Sequence, residues 1–240
     1  MIFFRSMWAI YKKEMRVYFV GPLAYAFLTV VSFLSGLFFY LGATSTLQAN
    51  LQMMFSPLAL ALAFLLPLLT MQHFAEEKRN GSFELLMTAP IPIWSMIIGK
   101  WASSLTLCLG FLVLTLIFPA LLYEYGNPDT GVLITSYIGM FLCCAAFVSV
   151  GLFASSLSSE PVSCGFIGSV ILLCLWLSGR AAVFIENETL RQFFIELSFQ
   201  SHLDSFYRGL IDSSDVLWFV LFAFGFLFLT WRTIESQRWR

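Results

Sequence analysis

Long apolar segments separated by short polar connections make up most of this chain. Six of them approach or exceed the length of about 20 apolar residues that a membrane-spanning helix needs. The predicted spans cover roughly residues 20–41, 57–72, 101–123, 131–155, 161–179 and 216–231. The pattern therefore predicts an all-α polytopic membrane protein with six transmembrane helices, forming a single transmembrane domain over residues 1–240.

Residues 2–18 show an amphipathic pattern instead of a continuous apolar one. Four basic side chains share one face of the predicted helix, and they are Arg5, Lys12, Lys13 and Arg16. A helix of this kind lies in the plane of the membrane interface. Glu14 falls on the apolar face, so we expect it either to meet a basic group or a helix N-terminus, or to extend towards the lipid headgroups.

The connection before the last span, residues 181–215, is too long for a simple turn. Apolar residues at helical spacing over 189–211 predict one or two short helices at the outer membrane surface, dipping partly into it. Thr189 followed by Gln192 resembles a capping box. Ser214 or Asp215 is predicted to cap the last span.

The composition is typical of a membrane protein, and the distribution of basic residues predicts its orientation in the membrane. Hydrophobic residues make up 59% of the chain and charged residues only 11%, against about 25% in soluble domains. Ten of the thirteen Lys and Arg residues fall in the N-terminal segment, in the connection between the second and third spans, and in the C-terminal tail. The connection contributes Lys78, Arg79 and Lys100. This bias places both termini in the cytoplasm. The net charge of −1 provides no basic surface for nucleic acid.

The predicted spans contain no charged or histidine side chain, which argues against an ion-driven transporter, although sodium sites built from backbone carbonyls stay open. His73 and His202 fall on opposite sides of the membrane and cannot share a metal. The chain has no HExxH, GxSxG or Walker A motif. The five cysteines lie in apolar runs and are interpreted as packing residues. Any transport energy would therefore come from another polypeptide.

The densest charge lies between the second and third spans, where residues 74–92 read FAEEKRNGSFELLMTAPIP. Gly81 permits a break, residues 82–88 favour a short helix, and Pro90 and Pro92 end it. The predicted helix has an apolar face that would fit a groove in a partner protein. An amphipathic loop resting on the headgroups is the alternative.

Three stretches of this chain resemble ABC-2 type ABC transporter permeases. FAEEKRNGSFELLMTAP at 74–90 is similar to the family segment after the second span. YKKEMRVYFVGPLAY at 11–25 and SHLDSFYRGLIDSSD at 201–215 resemble the subgroup that includes the gliding-motility and NosY-like permeases. The resemblance implies the type II (ABC-2) exporter fold, with an N-terminal interfacial connecting helix, a cytoplasmic coupling helix and outer re-entrant helices.

The resemblance also implies roles for individual residues. The coupling helix at 81–88 and its approach would bind the ATPase, through Glu76, Glu77, Gly81, Ser82, Phe83, Glu84, Leu85, Leu86 and Met87. The connecting helix would contribute Lys12, Lys13, Glu14 and Arg16. The outer gate would include His202, Phe206, Gly209 and Asp212. Small residues that allow close packing suggest a dimer interface at Ser32, Gly36, Gly165 and Gly168.

By this resemblance the chain is a permease subunit of an ATP-driven exporter, multi-pass in the bacterial inner membrane and not itself an enzyme. The expected partners are an ABC ATP-binding subunit, a second permease copy or a related permease, and the lipid bilayer, with room for an extracytoplasmic accessory protein. The chain would bind no cofactor, and ATP and Mg²⁺ would be held by the partner ATPase. A membrane scaffold that anchors a soluble complex without transporting is the alternative, followed by an intramembrane enzyme acting on lipid.

Overall fold

Helices make up nearly all of the residues that the structure describes. The computed structural model describes residues 2–46, 51–88, 91–125 and 128–237. Within those ranges the helices are α1 (Ile2–Val20), α2 (Leu23–Thr46), α3 (Gln52–Thr70), α4 (Gln72–Arg79), α5 (Ser82–Thr88), α6 (Ile93–Thr115), α7 (Ile117–Tyr125), α8 (Thr130–Leu157), α9 (Pro161–Ala181), α10 (Glu188–Glu196), α11 (Phe199–Tyr207) and α12 (Ser213–Gln237).

Six helical stretches in the described residues are long and apolar enough to cross a membrane. They are α2, α3 continued by α4, α6 continued by α7, α8, α9 and α12. The prediction of an all-helical protein with six spans is confirmed. The largest difference at one end of a span is at the start of the third, whose helix begins at Ile93 and not near residue 101. Pro92 stands immediately before α6 in an extended conformation that favours this early start.

The fourth span, α8, is the centre of the bundle. In its most apolar window 78% of the residues are buried, against 17% in the first span, α2. α8 packs against α3, α6, α9, α11 and α12. Its contact with α3 is close because Gly151 has no side chain where the Thr70 hydroxyl group approaches. α8 is therefore a fixed scaffold, whereas α2 is largely exposed.

The break between α3 and α4 is supported by one serine of α8. Ser155 Oγ accepts the backbone N–H groups of Phe74 and Ala75 at 2.9 and 3.2 Å and donates to the Met71 carbonyl at 2.9 Å. Helix starts leave N–H groups without intrahelical partners, and Ser155 satisfies two of them. The end of the second span near Met71 is thereby attached to α8.

Asparagine and aspartate cap the outer helices at positions that differ from the predicted ones. Asn187 Oδ1 accepts the N–H of Thr189 at 3.1 Å, so the proposed Thr189–Gln192 capping box is wrong. Asp212 Oδ1 accepts the N–H of Ser214 at 3.0 Å and so caps α12, where Ser214 or Asp215 was predicted. Both assignments fail because a short acceptor before the helix reaches its first N–H groups more directly.

Candidate functional site

A buried cluster of charged side chains lies where α1, α4 and α6 meet at the predicted cytoplasmic end. At its centre, Lys100 Nζ lies 2.8 Å from Glu14 Oε1 and 3.0 Å from Glu77 Oε1. The same ammonium group donates to the His73 carbonyl oxygen at 2.7 Å. The Lys100 side chain is only 1% exposed. All three of its N–H donors therefore have protein acceptors.

Lys100 was assigned to a connection in the sequence analysis, and this placement is wrong. The residue lies inside the helix of the third span, about two turns after the helix begins at Ile93. The statement that the spans lack charged side chains fails with it, because the apolar stretch identified around residue 101 is the middle of a helix that starts at Ile93. A buried lysine at this depth is stable only with carboxylate partners.

His73 connects the same cluster to two hydroxyl groups. Its Nδ1 lies 3.2 Å from Glu14 Oε2 and donates to it, since a carboxylate can only accept. Its Nε2 lies 2.7 Å from Ser104 Oγ and 2.8 Å from the Tyr18 hydroxyl oxygen. The Glu14 carboxylate is thus held on one oxygen by Lys100 and on the other by His73.

The charges outside the spans respond to this environment. Burial alone would raise the pKa of Glu14, but the hydrogen bond from His73 and the Lys100 charge hold that pKa well below its usual range. Burial lowers the pKa of Lys13, but the hydrogen bond to Glu77 at 2.6 Å and the negative charges of Glu77 and Glu14 together outweigh burial, so the pKa is raised. Glu14 and Lys13 are therefore both charged at neutral pH, and the cluster balances two carboxylates against two ammonium groups.

The cluster joins elements that are far apart in sequence. Glu14 and Lys13 belong to α1, Glu77 to α4 and Lys100 to α6. Removing one member of a buried ion pair leaves an uncompensated charge, at a cost of about 3–5 kcal/mol. In the described part of the chain no group of three or more His, Cys, Asp or Glu side chains could hold a metal ion. The cluster thus links α1, α4 and α6, and its Lys13, Glu14 and Glu77 side chains line one wall of a small cleft.

The short helix α5 follows directly from α4 through a tight turn. Gly81 adopts a φ of 71°, in the left-handed region that favours glycine. Ser82 Oγ donates to the Glu77 carbonyl oxygen at 3.2 Å across this turn. α5 is thereby attached to the residue whose side chain binds Lys13 and Lys100.

The exposed face of α5 is not the one predicted. Phe83 is only 8% exposed, and Lys78 Nζ lies 5.4 Å from its ring centroid. Leu86 also packs partly against the core. In this chain the Phe83 ring therefore packs against the protein itself and is largely shielded from the surface. Glu84 is exposed, whereas the side chains of Leu85 and Met87 lie outside the described set.

Of the other residues predicted to contact the ATPase or to belong to the connecting helix, some are buried and others are exposed to solvent or lipid. Glu77 is buried in the ion cluster, which removes it from the surface on which it was predicted. Glu76, Lys12 and Arg16 are exposed. Beside Glu76, a cleft of about 270 Å³ opens between α1 and α4, lined in part by Lys13, Asn80 and Ser82.

On the opposite side of the bundle, α11 packs into the space between α8 and α12. Phe206 is fully buried, and its ring occupies the gap left by Gly139, where an added Cβ would lie 2.8 Å away. Thr135 Oγ1 donates to the Phe206 carbonyl oxygen at 2.7 Å. Gly209 has a φ of 84° and turns the chain beside Val132. Phe206 and Gly209, two of the residues predicted for the outer gate, therefore pack α11 and the turn after it against α8.

His202 contacts α12 through residues that the sequence analysis did not select. Its Nδ1 lies 2.7 Å from Asp215 Oδ1, and its ring stacks on Trp218 at 4.3 Å between centroids. Asp212, the predicted member, is exposed and acts as the cap of α12. Spacing offered one usable signal, because Asp215 and Trp218 are three positions apart and share a face of the helix.

Gly165 and Gly168 contact their own chain. A Cβ at Gly168 would lie 3.0 Å from Pro67 Cβ and 3.2 Å from Ala154 Cβ, and one at Gly165 would meet Met71. Both glycines thus allow close packing of α9 against α3 and α8 within the chain, and their role in a dimer interface stays a prediction. Ser32 and Gly36 are half-buried on α2.

Comparison with known proteins places this architecture in a family. The model described as "ABC-2 family transporter protein" matches residues 42–232, which is most of the chain. The match includes the charged connection and the outer helices, and α1 precedes it. A search of curated proteins finds no significant match. With its six apolar helices, the protein is a multi-pass membrane transporter component. The chain belongs to the ABC-2 family of transporter proteins.

Proposed function

We propose that this chain is the transmembrane permease subunit of an ATP-driven exporter of the ABC-2 type. Two permease subunits, identical or paired with a related permease, would form the translocation path above two separate ATP-binding subunits, which hold ATP and Mg²⁺. The observation that supports this most is the attachment of α5, through Glu77, to the ion cluster that joins α1 and α6.

The proposed mechanism is alternating access. ATP binding would bring the ATP-binding subunits together and displace α5. Because Ser82 is bonded to the Glu77 backbone and Glu77 to Lys13 and Lys100, this displacement reaches α1 and the third span together. The ATP-bound and ATP-free partners must contact α5 differently, because only a difference in contact energy can shift the conformational equilibrium.

The surface offered to the ATP-binding subunit is polar in the part that the structure describes. Arg79, Asn80 and Glu84 are exposed around the turn and on α5, while Phe83 is buried. We infer that these polar residues form the contact and that Phe83 holds the helix in position. This revises the idea of an apolar anchor entering a groove.

The dimer and the cellular setting complete the proposal. The exposed face of α2, centred on Phe33 at 70% exposure, leaves an apolar surface beside Ser32 and Gly36 for a second permease. Membership of the gliding-motility and NosY-like subgroup, location in the bacterial inner membrane, cytoplasmic termini and an extracytoplasmic accessory protein belong to the same proposal. They are supported by the motif resemblance and by the distribution of Lys and Arg.

The test is purification of the tagged chain from its native membrane in mild detergent. We expect an ATP-binding subunit with a Walker A lysine to co-purify, together with ATPase activity. Glu84→Arg should reduce this recovery at least tenfold, as expected when a charge contact becomes repulsive. Glu124→Arg, the same change on an exposed residue at the other end of the third span, should leave recovery unchanged.

Two outcomes contradict the proposal. Normal recovery of the ATP-binding subunit with Glu84→Arg would remove α5 as the contact. Recovery of a soluble complex without any ATP-binding chain would favour the scaffold alternative. Membrane insertion of each variant is checked first, so that loss of recovery reports loss of contact.

A further inference from the structure

His202 sits at the junction of three elements on the outer side of the bundle. Its Nδ1 lies 2.7 Å from Asp215 Oδ1, in the first turn of α12. Its Nε2 lies 2.8 Å from the backbone carbonyl oxygen of Glu196, the last residue of α10. The ring itself belongs to α11. One imidazole therefore bonds to the end of α10 and the start of α12.

Both atoms that face the imidazole nitrogens are hydrogen-bond acceptors. A backbone carbonyl never donates, and an ionised carboxylate only accepts. A neutral imidazole has one N–H, so it would leave a nitrogen lone pair facing an oxygen lone pair at under 3 Å. Only the doubly protonated imidazolium satisfies both contacts beside an ionised Asp215. The face of Trp218, stacked at 4.3 Å, also favours a cation.

The charged groups around His202 reinforce this interpretation. On α12 the facing group is Asp215, whose side chain is 12% exposed, against 13% for His202. On α10 it is the Glu196 carbonyl, while the Glu196 side chain is exposed. On its own helix, Asp204 interacts with Arg208, and burial raises the pKa of Asp204. In the described residues, no cation is paired with Asp215 other than His202.

The helices that His202 connects are held in place to different degrees by their other contacts. α11 is held independently, because Phe199 and Phe206 are fully buried and Thr135 binds the Phe206 carbonyl oxygen. α10 has no buried residue, so its attachment is weak. Loss of one proton from His202 would break either the bond to α10 or the bond to α12, and α10 has the fewer remaining contacts.

We propose that His202 is a proton-operated latch that holds α10 against α11 and the start of α12. Protonated, His202 bonds to both α10 and α12; deprotonated, it releases α10. Imidazole is the side chain whose charge ordinarily changes between pH 5 and 8. On the predicted topology this latch faces the extracytoplasmic side, where it would open as the pH rises. The proposal does not depend on the ATP-binding partner.

The direct test is ¹⁵N NMR of the full chain, labelled at histidine and held in detergent micelles. The chain has only two histidines, so the signal lost in His202→Gln identifies His202. We expect the imidazolium signature on both ring nitrogens at pH 6 and its loss as the pH rises. A neutral ring with a single N–H at pH 6 would overturn the proposal.

The second readout is amide hydrogen exchange of α10, corrected for the intrinsic effect of pH. In the wild type, exchange of residues 188–196 should rise about tenfold on deprotonation, the factor for losing one hydrogen bond to a charged group. His202→Gln should exchange at the higher level at every pH. Asp204→Asn, which changes a carboxylate on the same helix, should behave like the wild type. An α10 that exchanges equally with His202 charged and neutral would also overturn the latch.

Discussion

Lys100 Nζ lies 2.8 Å from Glu14 Oε1, and this ion pair joins two residues 86 positions apart. Glu14 is on the interfacial helix α1, and Lys100 is on the helix of the third span. Both side chains are at least nine-tenths buried. A helix predicted to rest on the membrane surface is thus fixed to the transmembrane bundle by a buried charge pair.

Lys100→Met should strongly destabilise the protein. The change leaves Glu14 and Glu77 without their shared cation, and the expected loss is about 3–5 kcal/mol of unfolding free energy. Thermal unfolding of the purified chain in detergent measures it. The double variant Glu14→Gln with Lys100→Met should lose clearly less than the sum of the single variants, since the two groups are coupled. Lys12→Met, on the exposed side of α1, is the control. Additive losses would contradict a direct pairing.

Acid should weaken the protein through Glu14. The folded-state pKa of Glu14 is lowered from the ordinary value of 4.5, so its stabilising contribution is complete above that value. It is lost as the pH falls below about 4.5 towards the folded-state pKa. Thermal midpoints of the wild type and Glu14→Gln should therefore differ most at neutral pH and begin to converge as the pH falls below about 4.5.

The matched control for this pH dependence is Glu84→Gln. Glu84 is an exposed carboxylate, and its removal should leave the acid dependence of the wild type intact. A difference between wild type and Glu14→Gln that stays constant down to pH 3 would show that Glu14 is not held as a buried anion.

Gly139→Ala should loosen the outer helix α11. The added Cβ would lie 2.8 Å from Cβ and Cγ of Phe206, which must then move away from α8. Overpacking of this kind costs about 1–3 kcal/mol. Amide exchange of residues 199–207 should increase, because the bond from Thr135 to the Phe206 carbonyl oxygen lengthens as well.

Gly225→Ala is the matched control, since a Cβ at Gly225 meets nothing within 4 Å. It should leave the exchange of α11 unchanged and slightly favour helix α12. Equal exchange of α11 in the two variants would show that Gly139 and Phe206 are not closely packed.

The sequence predicted the need for a partner at Glu14 but could not identify it. A carboxylate on the apolar face of a predicted helix can be recognised from the surrounding few residues, and it indicates a charge that needs a partner. Lys100 is separated from Glu14 in sequence by the first two spans. Whether Lys100 lies inside the third span depends on where the helix of that span begins. Helix starts are the least defined feature of a hydrophobicity pattern, so Lys100 was assigned to a connection.

Phe83 shows a different limit of local pattern. An amphipathic helix can place its apolar face against a partner or against its own chain, and the spacing of residues is the same in both cases. Here α4 and the core cover Phe83, with Lys78 over its ring. Gly165 and Gly168 illustrate the same limit. Small residues indicate close packing, but the sequence does not say against which helix, and in this chain both glycines pack against α3.

By itself the sequence determined the six spans, the charged connection after the second span and the short helices before the last span. Each of these depends on hydrophobic length or helical periodicity within one segment, which the thickness of a bilayer converts directly into structure. Only the tertiary structure decided which charges meet at Lys100, which face of α5 is exposed, and that His202 binds both Glu196 and Asp215. Those contacts depend on how helices distant in sequence are rotated and packed against one another, and no local pattern contains that information.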